Sequence, residues 1–377
     1  MPPATVSRNR SATDTLDRVT ELSPTLFDLG TRADAENRFP GESVRLLVEA
    51  GVARAPLPCA LGGDELDSRT LVALVSTVGA ADPGLGLVVA MHVVHARRVF
   101  LDVAGSAAVA EAGRSVAVGS GFVSSLVSEN RSIAPARGGA VLARAVPAKG
   151  GWRLHTRKRY ATGIRALSHA VVAATIDGED TPEHFLVPID PATTSIEKTW
   201  DVLGLRTSGS DDIVFDGTFV PTDALLPPEL VSQSSPWWSL VLAGLYQGIA
   251  EGAFRLITDG GLPIQAGGAH PAEVPRVRHY VGEAALSLTT VRSLVDTAIG
   301  RHTEGALTPA ESAAVKLAAH RAATEVLDQV GRAFGTASVW QSHAWQRYFR
   351  DLRVGAHNSP SEDVALDDLA RQVLTTS

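Results

Sequence analysis

The sequence predicts an α+β protein whose chain passes through three parts in order: helical, then antiparallel β, then helical. We expect an N-terminal helical domain at 1–119, a central β domain at 120–228 and a C-terminal helical bundle at 229–377. Helical spacing of apolar residues marks the first and last parts, and short apolar runs between glycine turns mark the middle. The length of 377 residues, with 45% hydrophobic and 20% charged, is enough for two or three packed units.

The N-terminal part contains clear helix start signals. Gly41 to Ala50 has inward-facing apolar positions at helical spacing, and Ser68 begins a second apolar helix. Asp82 precedes Pro83, which places a capping carboxylate before proline at the first helical position. Because this pair interrupts the apolar stretch from Leu71 to Val94, we expect two helices there and no membrane span.

The middle part contains strand signals. Turns such as Lys149–Gly151 and Asp216–Gly217 separate short runs of β-forming residues. The predicted strands cover 152–156, 170–176, 184–189 and 213–215.

The C-terminal part contains two further helix start signals. Thr308–Glu311 is a capping box with proline at the first helical position. Ser359–Glu362 repeats the pattern, which would place Glu362 at the third helical position with its carboxylate on the Ser359 backbone.

Charge and composition exclude several classes of protein. A net charge of −7 and a pI near 5.9 argue against nucleic-acid binding, which needs a basic face. One cysteine, Cys59, allows no internal disulfide, and no signal peptide is recognised, so a cytoplasmic location is expected. His92 and His95 lie three apart on a predicted helix, but no third ligand is evident, so we expect helix-surface or pocket-lining histidines and no metal site.

Several short motifs, in this chain order, resemble those of the acyl-CoA dehydrogenase superfamily over nearly the whole sequence. They are Pro58–Gly63 (P-x-x-x-G-G), Ala81–Leu85 (A-D-P-G-L), Lys158–Gly163 (K-R-Y-A-T-G), Trp200–Ser210 (W-x-x-x-G-x-R-x-S-x-S), Phe219–Pro221 (F-V-P) and Tyr246–Ala253 (the opening of the bundle). The resemblance implies a barrel-like β domain, a four-helix bundle and a flavin, FAD or FMN, between them. It also implies a homo-oligomer, a dimer or tetramer, in which a neighbouring subunit completes the flavin site.

The resemblance assigns flavin-binding roles to residues from three segments: Ser128, Asn130, Tyr160, Thr162, Gly163 and Gly335. Tyr160 and Thr162 are two apart on an expected strand and would share a face, with the Thr162 hydroxyl near flavin N5. The alternative is that both are ordinary strand formers. Ser128 and Asn130 could equally belong to a simple turn.

The sequence departs from the dehydrogenases where their catalytic base lies. Arg350–Arg353 matches the family's R-D-x-R, but nothing from Val354 to Ser361 is acidic. His357 and Asn358 occupy this loop instead, and the resemblance to the reduced-flavin-dependent monooxygenase branch gives catalytic roles to His357, Asn358 and Thr162. The flavin-binding R-x-x-F-G segment is also missing at 265–273.

We therefore expect a two-component monooxygenase related to the dibenzothiophene, hydroxyphenylacetate and amino-sugar oxygenases. A separate reductase would supply reduced FAD or FMN, and O2 would react through a C4a-hydroperoxyflavin to hydroxylate or N-oxygenate a small molecule. One alternative is an acyl-CoA or acyl-carrier-protein dehydrogenase with a displaced base, for which the candidates are Glu362, just beyond the loop, and Glu251, on an earlier helix of the bundle. The other is a catalytically degenerate flavin-site protein that assembles with an active paralogue.

Overall fold

The computed structural model describes residues 5–101, 106–129, 141–227, 235–262 and 270–375, with side chains from residue 14 onward except at Leu101. Five helices precede the strands: α1 (Thr5–Ala35), α2 (Gly41–Glu49), α3 (Ser68–Ala81), α4 (Pro83–Leu101) and α5 (Ala107–Ala117). Eight strands follow: β1 (Phe122–Leu126), β2 (Arg144–Ala148), β3 (Gly151–Lys158), β4 (Leu167–Ile176), β5 (Pro182–Pro188), β6 (Thr194–Glu197), β7 (Asp212–Pro221) and β8 (Leu225–Leu226). The last part is α6 (Pro236–Leu256), α7 (Pro275–Thr303), α8 (Pro309–Phe334), α9 (Trp345–Gly355) and α10 (Glu362–Thr375).

The predicted break between α3 and α4 is confirmed. Helix α3 begins where the Asp67 carboxylate accepts the Thr70 N–H at 2.8 Å. Asp82 ends α3 and caps α4, since its Oδ1 accepts the Leu85 N–H at 3.1 Å. Both helices are buried almost throughout, which explains why their sequence is apolar on all sides.

The central sheet is mixed, and the prediction of an antiparallel sheet is wrong for two of its pairs. Its order is β6-β7-β3-β2-β4-β5-β8, and β1 also pairs with β4. β1 and β2 both run parallel to β4, whereas the other pairs are antiparallel. The apolar runs predict strands but not strand direction, because the side-chain period of two is common to both arrangements.

The last part is built on α6, which is buried along most of its length and packs against α3, α4, α7, α8 and α9. The helical segment Pro236–Gly261 is long and apolar enough to cross a membrane by length and composition. However, 72% of its apolar window is buried inside the protein, as in the core helix of a bundle.

The two predicted start signals in this part have different outcomes. The Thr308 capping box is confirmed, with both reciprocal bonds to Glu311 formed. The Ser359 box is wrong, because α10 begins at Glu362 itself. The Glu362 carboxylate accepts a hydrogen bond from Arg321 on α8 instead of turning back to Ser359.

A buried ion cluster joins α9 to the start of α4. Arg347 is 3% exposed; its Nη2 lies 2.8 Å from Asp82 Oδ1, and its Nε lies 3.7 Å from Asp351 Oδ2. Asp351 Oδ1 also accepts the Leu205 N–H at 2.5 Å, and Asp82 Oδ1 accepts the Thr207 hydroxyl at 2.5 Å. The cluster therefore fixes the turn 205–208 against two helices.

Candidate active site

Tyr160 and Thr162 lie in a turn and not on a strand, so the prediction that they share a strand face is wrong. Strand β3 ends at Lys158, and Tyr160 has a left-handed backbone with φ of 54°. The Thr162 N–H then donates to the Tyr160 carbonyl at 2.9 Å. The turn leaves the Tyr160 ring 55% exposed, edge-on to Trp200 at 6.2 Å between ring centroids.

A chain of hydroxyl groups ends at Thr162. Ser208 and Ser210 are hydrogen-bonded at 2.8 Å, and Ser210 Oγ donates to Thr162 Oγ1 at 3.2 Å. The Gly163 N–H donates to the Ser208 carbonyl at 2.9 Å, which holds the two segments together. Because the Thr162 oxygen accepts from Ser210, its own hydrogen is free to point at a further acceptor.

Ser128 lies beside this turn, since its carbonyl accepts the Arg159 N–H at 2.9 Å. The next residue, Glu129, forms a buried ion pair with Lys158 at 2.5 Å and accepts the backbone N–H of Ala143 at 3.1 Å. The structure thus brings Ser128, Tyr160, Thr162 and Gly163 together at one end of the sheet. Asn130 lies outside the described residues.

One face of α4 runs past this group toward the bundle. Gly84, Val88 and His95 lie on the same side of the helix because they are spaced by four and seven residues. A Cβ at Gly84 would collide with Thr207 and Ser208, and one at Gly163 would lie 2.6 Å from Val88 Cγ1. The α4 backbone therefore lies directly against the hydroxyl chain.

At its far end, the same face meets Trp238 of α6. The His95 ring stands edge-on to the Trp238 ring at 5.4 Å, and Trp238 Nε1 donates to the Ser359 carbonyl at 2.6 Å. His95 Nε2 is buried with no hydrogen-bond partner among the described residues. Burial first, then the charge of Arg98, lowers the pKa of His95 to about 3. This histidine is therefore neutral at physiological pH and has a ring nitrogen to offer a ligand.

His92 has a structural role. Its ring bonds the Ala53 carbonyl at 2.8 Å and accepts the Val123 N–H at 3.0 Å, joining α4 to β1. No cluster of three or more metal-ligating side chains occurs among the described residues. A helix-surface position is wrong for both histidines, since both are buried, while the pocket-lining alternative stays a prediction for His95.

The loop after α9 carries His357 and Asn358. The His357 side chain is exposed, whereas Asn358 is half-buried and its Nδ2 donates to Tyr246 Oη at 3.2 Å. Tyr246 Oη in turn donates to the Gly355 carbonyl at 2.7 Å. The loop and Trp238 are therefore neighbours, and α4 connects them to Thr162.

Carboxylates within this part of the molecule are paired with cations. Among the described residues, every buried carboxylate has an arginine or lysine partner: Asp34, Asp82, Glu129, Asp211, Asp212 and Asp351. Glu251 pairs with Arg292 at 2.9 Å and lines a separate cleft of about 510 Å³ between α3, α6 and α7. Glu362 is paired with Arg321.

Gly335 lies in the turn that follows α8. Its φ of 61° and ψ of −137° favour glycine, and a Cβ there would meet nothing within 4 Å. Val339 and Trp340, just beyond it, are 75% and 68% exposed. This turn is therefore an open surface in the single chain.

No specific site role was predicted from the sequence for five side chains that hold the site: His95, Ser210, Trp238, Tyr246 and Lys316. Ser210 and Tyr246 lie within the recognised motifs, whereas His95, Trp238 and Lys316 lie outside them. Lys316 had the clearest signal, because it lies in the buried stripe of α8 at helical spacing from Ser312 and Ala319. A lysine in such a stripe predicts a buried cation with a specific acceptor.

Comparison with known proteins identifies the family. Residues 24–112 match the acyl-CoA dehydrogenase N-terminal domain and residues 240–374 match the C-terminal domain, together more than half of the chain. The chain belongs to the acyl-CoA dehydrogenase family and is an oxidoreductase. The predicted resemblance and fold are confirmed, while the domain bounds and site residues stay predictions.

Individual relatives include dehydrogenases and oxygenases. A putative acyl-CoA dehydrogenase, YdbM of Bacillus subtilis (strain 168), is 25% identical and covers 95% of this chain and 96% of its own. The amino sugar nitrososynthase DnmZ of Streptomyces peucetius is 29% identical over 92% of this chain and 89% of its own. The crystal structure of FMN-bound TdsC from Paenibacillus sp. A11-2 superposes with a TM-score of 0.86 at 20% identity, covering 96% of this chain and 98% of that one.

Proposed function

We propose that this chain is the oxygenase component of a two-component flavin monooxygenase. A separate reductase delivers reduced FAD or FMN, which when bound supplies two electrons for the activation of O2. One oxygen atom enters a small-molecule substrate, and the other leaves as water with the two hydrogens of the reduced flavin. Hydroxylation and N-oxygenation both fit this balance.

The observation that carries the proposal is the pairing of the carboxylates. Dehydrogenation of an acyl thioester needs a carboxylate free to remove the α-proton. In the described residues, each buried carboxylate is paired with a cation, and so are both candidates for a displaced base, Glu251 and Glu362. What the site offers instead is a set of neutral groups, namely hydroxyls, an amide and an uncharged imidazole.

Those neutral groups suit a flavin that must be kept from releasing its electrons as free peroxide. Thr162 has a hydroxyl hydrogen to donate to a flavin ring nitrogen, and Tyr160 offers an exposed aromatic surface beside it. Ser128 lies at the same end of the sheet, where its carbonyl accepts the Arg159 N–H. His95 can accept or donate a hydrogen bond without introducing a charge.

The names of two relatives also favour the oxygenase assignment. DnmZ is named as a nitrososynthase, and TdsC is described with FMN bound. YdbM is named as a dehydrogenase, and it represents the competing assignment. The pairing of Glu251 and Glu362 is the reason that we favour the oxygenase assignment over it.

The site is proposed to be completed by a second copy of the chain. In the single chain, His357 is exposed, and the apolar Val339 and Trp340, just beyond Gly335, face outward. A dimer or tetramer would cover these side chains and could bring Gly335 of one copy to the flavin of another. A cytoplasmic location belongs to the same proposal.

Anaerobic titration with flavin tests the assignment. The protein should bind reduced FMN or FAD more tightly than the oxidised form, because the reductase must hand over the reduced one. Thr162→Val should weaken binding of the reduced flavin, and the matched control Thr289→Val, on the exposed side of α7, should not. Tight binding of oxidised FAD that survives purification, with no preference for the reduced form, would contradict the proposal.

A further inference from the structure

The loop that carries His357 and Asn358 is held by side chains from two helices of the bundle. Its carbonyl groups at Gly355, Ser359 and Pro360 accept hydrogen bonds from Tyr246 at 2.7 Å, Trp238 at 2.6 Å and Lys316 at 2.6 Å, respectively. The Asn358 carbonyl is a second acceptor for Lys316 Nζ. A single ammonium group therefore donates hydrogen bonds to the loop on both sides of Ser359.

Lys316 has no carboxylate within ion-pair distance among the described residues, although it is only 5% exposed. Burial without a counterion costs stability, and burial lowers the pKa of Lys316 to about 8. A methionine in this stripe would avoid that cost. The presence of a lysine here therefore points to a requirement other than stability.

We propose that Lys316 is a positioning residue for the oxygenase reaction, which sets the backbone of loop 355–360 so that Asn358 and His357 adopt their working geometry. The inference rests on the proposed function. Lys316 acts through the carbonyls of Asn358 and Pro360 and does not itself contact flavin or substrate.

The charged state of Lys316 is the effective one. An ammonium group makes charge-assisted hydrogen bonds to carbonyls that are about twice as strong as those of a neutral amine. Other ionisable groups face the same region: His320, whose Nε2 bonds the Leu352 carbonyl, Tyr246 beneath the loop, and Arg321, Arg353 and Glu362 around it. Burial lowers the pKa of His320 and raises that of Tyr246, so neither titrates near pH 8.

The positioning role and the fold respond to pH in opposite directions. Because the folded-state pKa of about 8 lies below the ordinary lysine value of 10.5, the unfolded chain holds more protons between these two pH values. The contribution of Lys316 to the free energy of unfolding therefore rises with pH through this window. The order of loop 355–360 should instead decline as pH rises through 8, because Lys316 loses its charge. The coupling of O2 consumption to substrate oxygenation should decline with it.

The test compares Lys316→Met with wild type and with Lys149→Met, an exposed lysine in the turn between β2 and β3. Hydrogen exchange of the peptide 354–361 reports loop order and needs no enzyme activity. Release of hydrogen peroxide after O2 is admitted to the protein with reduced FMN reports coupling. We expect Lys316→Met to speed both exchange and peroxide release, the latter about 10- to 100-fold, with a melting temperature equal to or above wild type.

Chemical rescue separates charge from packing. Lys316→Cys in a Cys59→Ser background can be alkylated with bromoethylamine, which restores an ammonium group of lower pKa because the sulfur withdraws electrons. The rescued protein should regain slow peroxide release, with the alkaline decline shifted to lower pH than in wild type. Rescue without a shift would overturn the role of the charge.

Two other outcomes are distinct. Unchanged exchange of 354–361, or faster exchange with unchanged peroxide release, overturns the positioning role while leaving the proposed function standing. A wild-type protein that neither binds reduced flavin nor alters its reaction with O2 refutes the proposed function, and with it the reaction that Lys316 is proposed to serve.

Discussion

Replacing Arg347 by methionine should be among the most destabilising single changes in this chain. The side chain is 3% exposed and lies between two buried carboxylates, 2.8 Å from Asp82 Oδ1 and 3.7 Å from Asp351 Oδ2. Its Nη1 also donates to Thr31 Oγ1 at 3.2 Å. Removing the cation leaves both carboxylates buried without their main counterion.

The magnitude follows from that loss. Breaking a buried ion pair on one side costs about 3–5 kcal/mol, which is roughly a hundred- to several thousand-fold in the folding equilibrium. The Arg347 to Asp82 contact is close but poorly aligned for a hydrogen bond, so charge rather than direction dominates it. Arg347→Lys should therefore recover part of the loss.

A double-mutant cycle provides the control. Asp82→Asn keeps an oxygen that can accept from Leu85 N–H and Thr207, but removes the charge that Arg347 balances. Arg347→Met with Asp82→Asn should be less destabilised than the sum of the single changes, by about 1–3 kcal/mol. Urea denaturation measures all four proteins. Additive effects, or a loss below about 1 kcal/mol for Arg347→Met, would refute the buried ion-pair account.

Three further changes test other parts of the molecule. Thr162→Val should speed peroxide release from bound reduced flavin about 10- to 100-fold, while Thr162→Ser should not, because only the hydroxyl is needed. Glu251→Gln should leave this reaction unchanged, since the carboxylate pairs with Arg292 and accepts a hydrogen bond from the Gln247 amide; loss of acyl-thioester turnover in that variant would revive the dehydrogenase assignment. Glu129→Gln should cost about 3–5 kcal/mol in thermal or urea unfolding, because it leaves Lys158 buried without its counterion; a wild-type unfolding curve would count against the pair.

Local signals in the sequence were sufficient to predict a helix start where a nearby side chain hydrogen-bonds the first backbone N–H groups of that helix. Asp82 caps α4, and the Thr308 box is closed by Glu311, because these bonds span only three residues and need no partner elsewhere. The family motifs predicted the fold for a related reason, since each glycine or proline in them meets a backbone requirement at one place. The Ser359 box failed because Trp238 and Lys316 hold its carbonyls, and the helix begins only at Glu362.

Long-range contacts account for the other failures in the site. The β3 strand ends at Lys158, where the ammonium group meets Glu129 at 2.5 Å, and the chain then turns so that Tyr160 and Thr162 leave the sheet. Nothing near Lys158 in the sequence reveals a partner 29 residues earlier. The burial of His95 was not predictable, because helical spacing does not show which element will cover a side chain.

An oxygenase receives reduced flavin and reacts it with O2, whereas a dehydrogenase reduces its bound flavin by oxidising an acyl thioester. We propose the first reaction for this chain. The most direct measurement is rapid mixing of the anaerobic protein–FMN or protein–FAD complex, in its reduced form, with O2 while absorbance is recorded. We expect a near-ultraviolet transient that outlasts the oxidation of free flavin and is shortened in Thr162→Val. A wild-type trace that matches free flavin, together with bleaching of bound oxidised FAD by acyl thioesters, would contradict it.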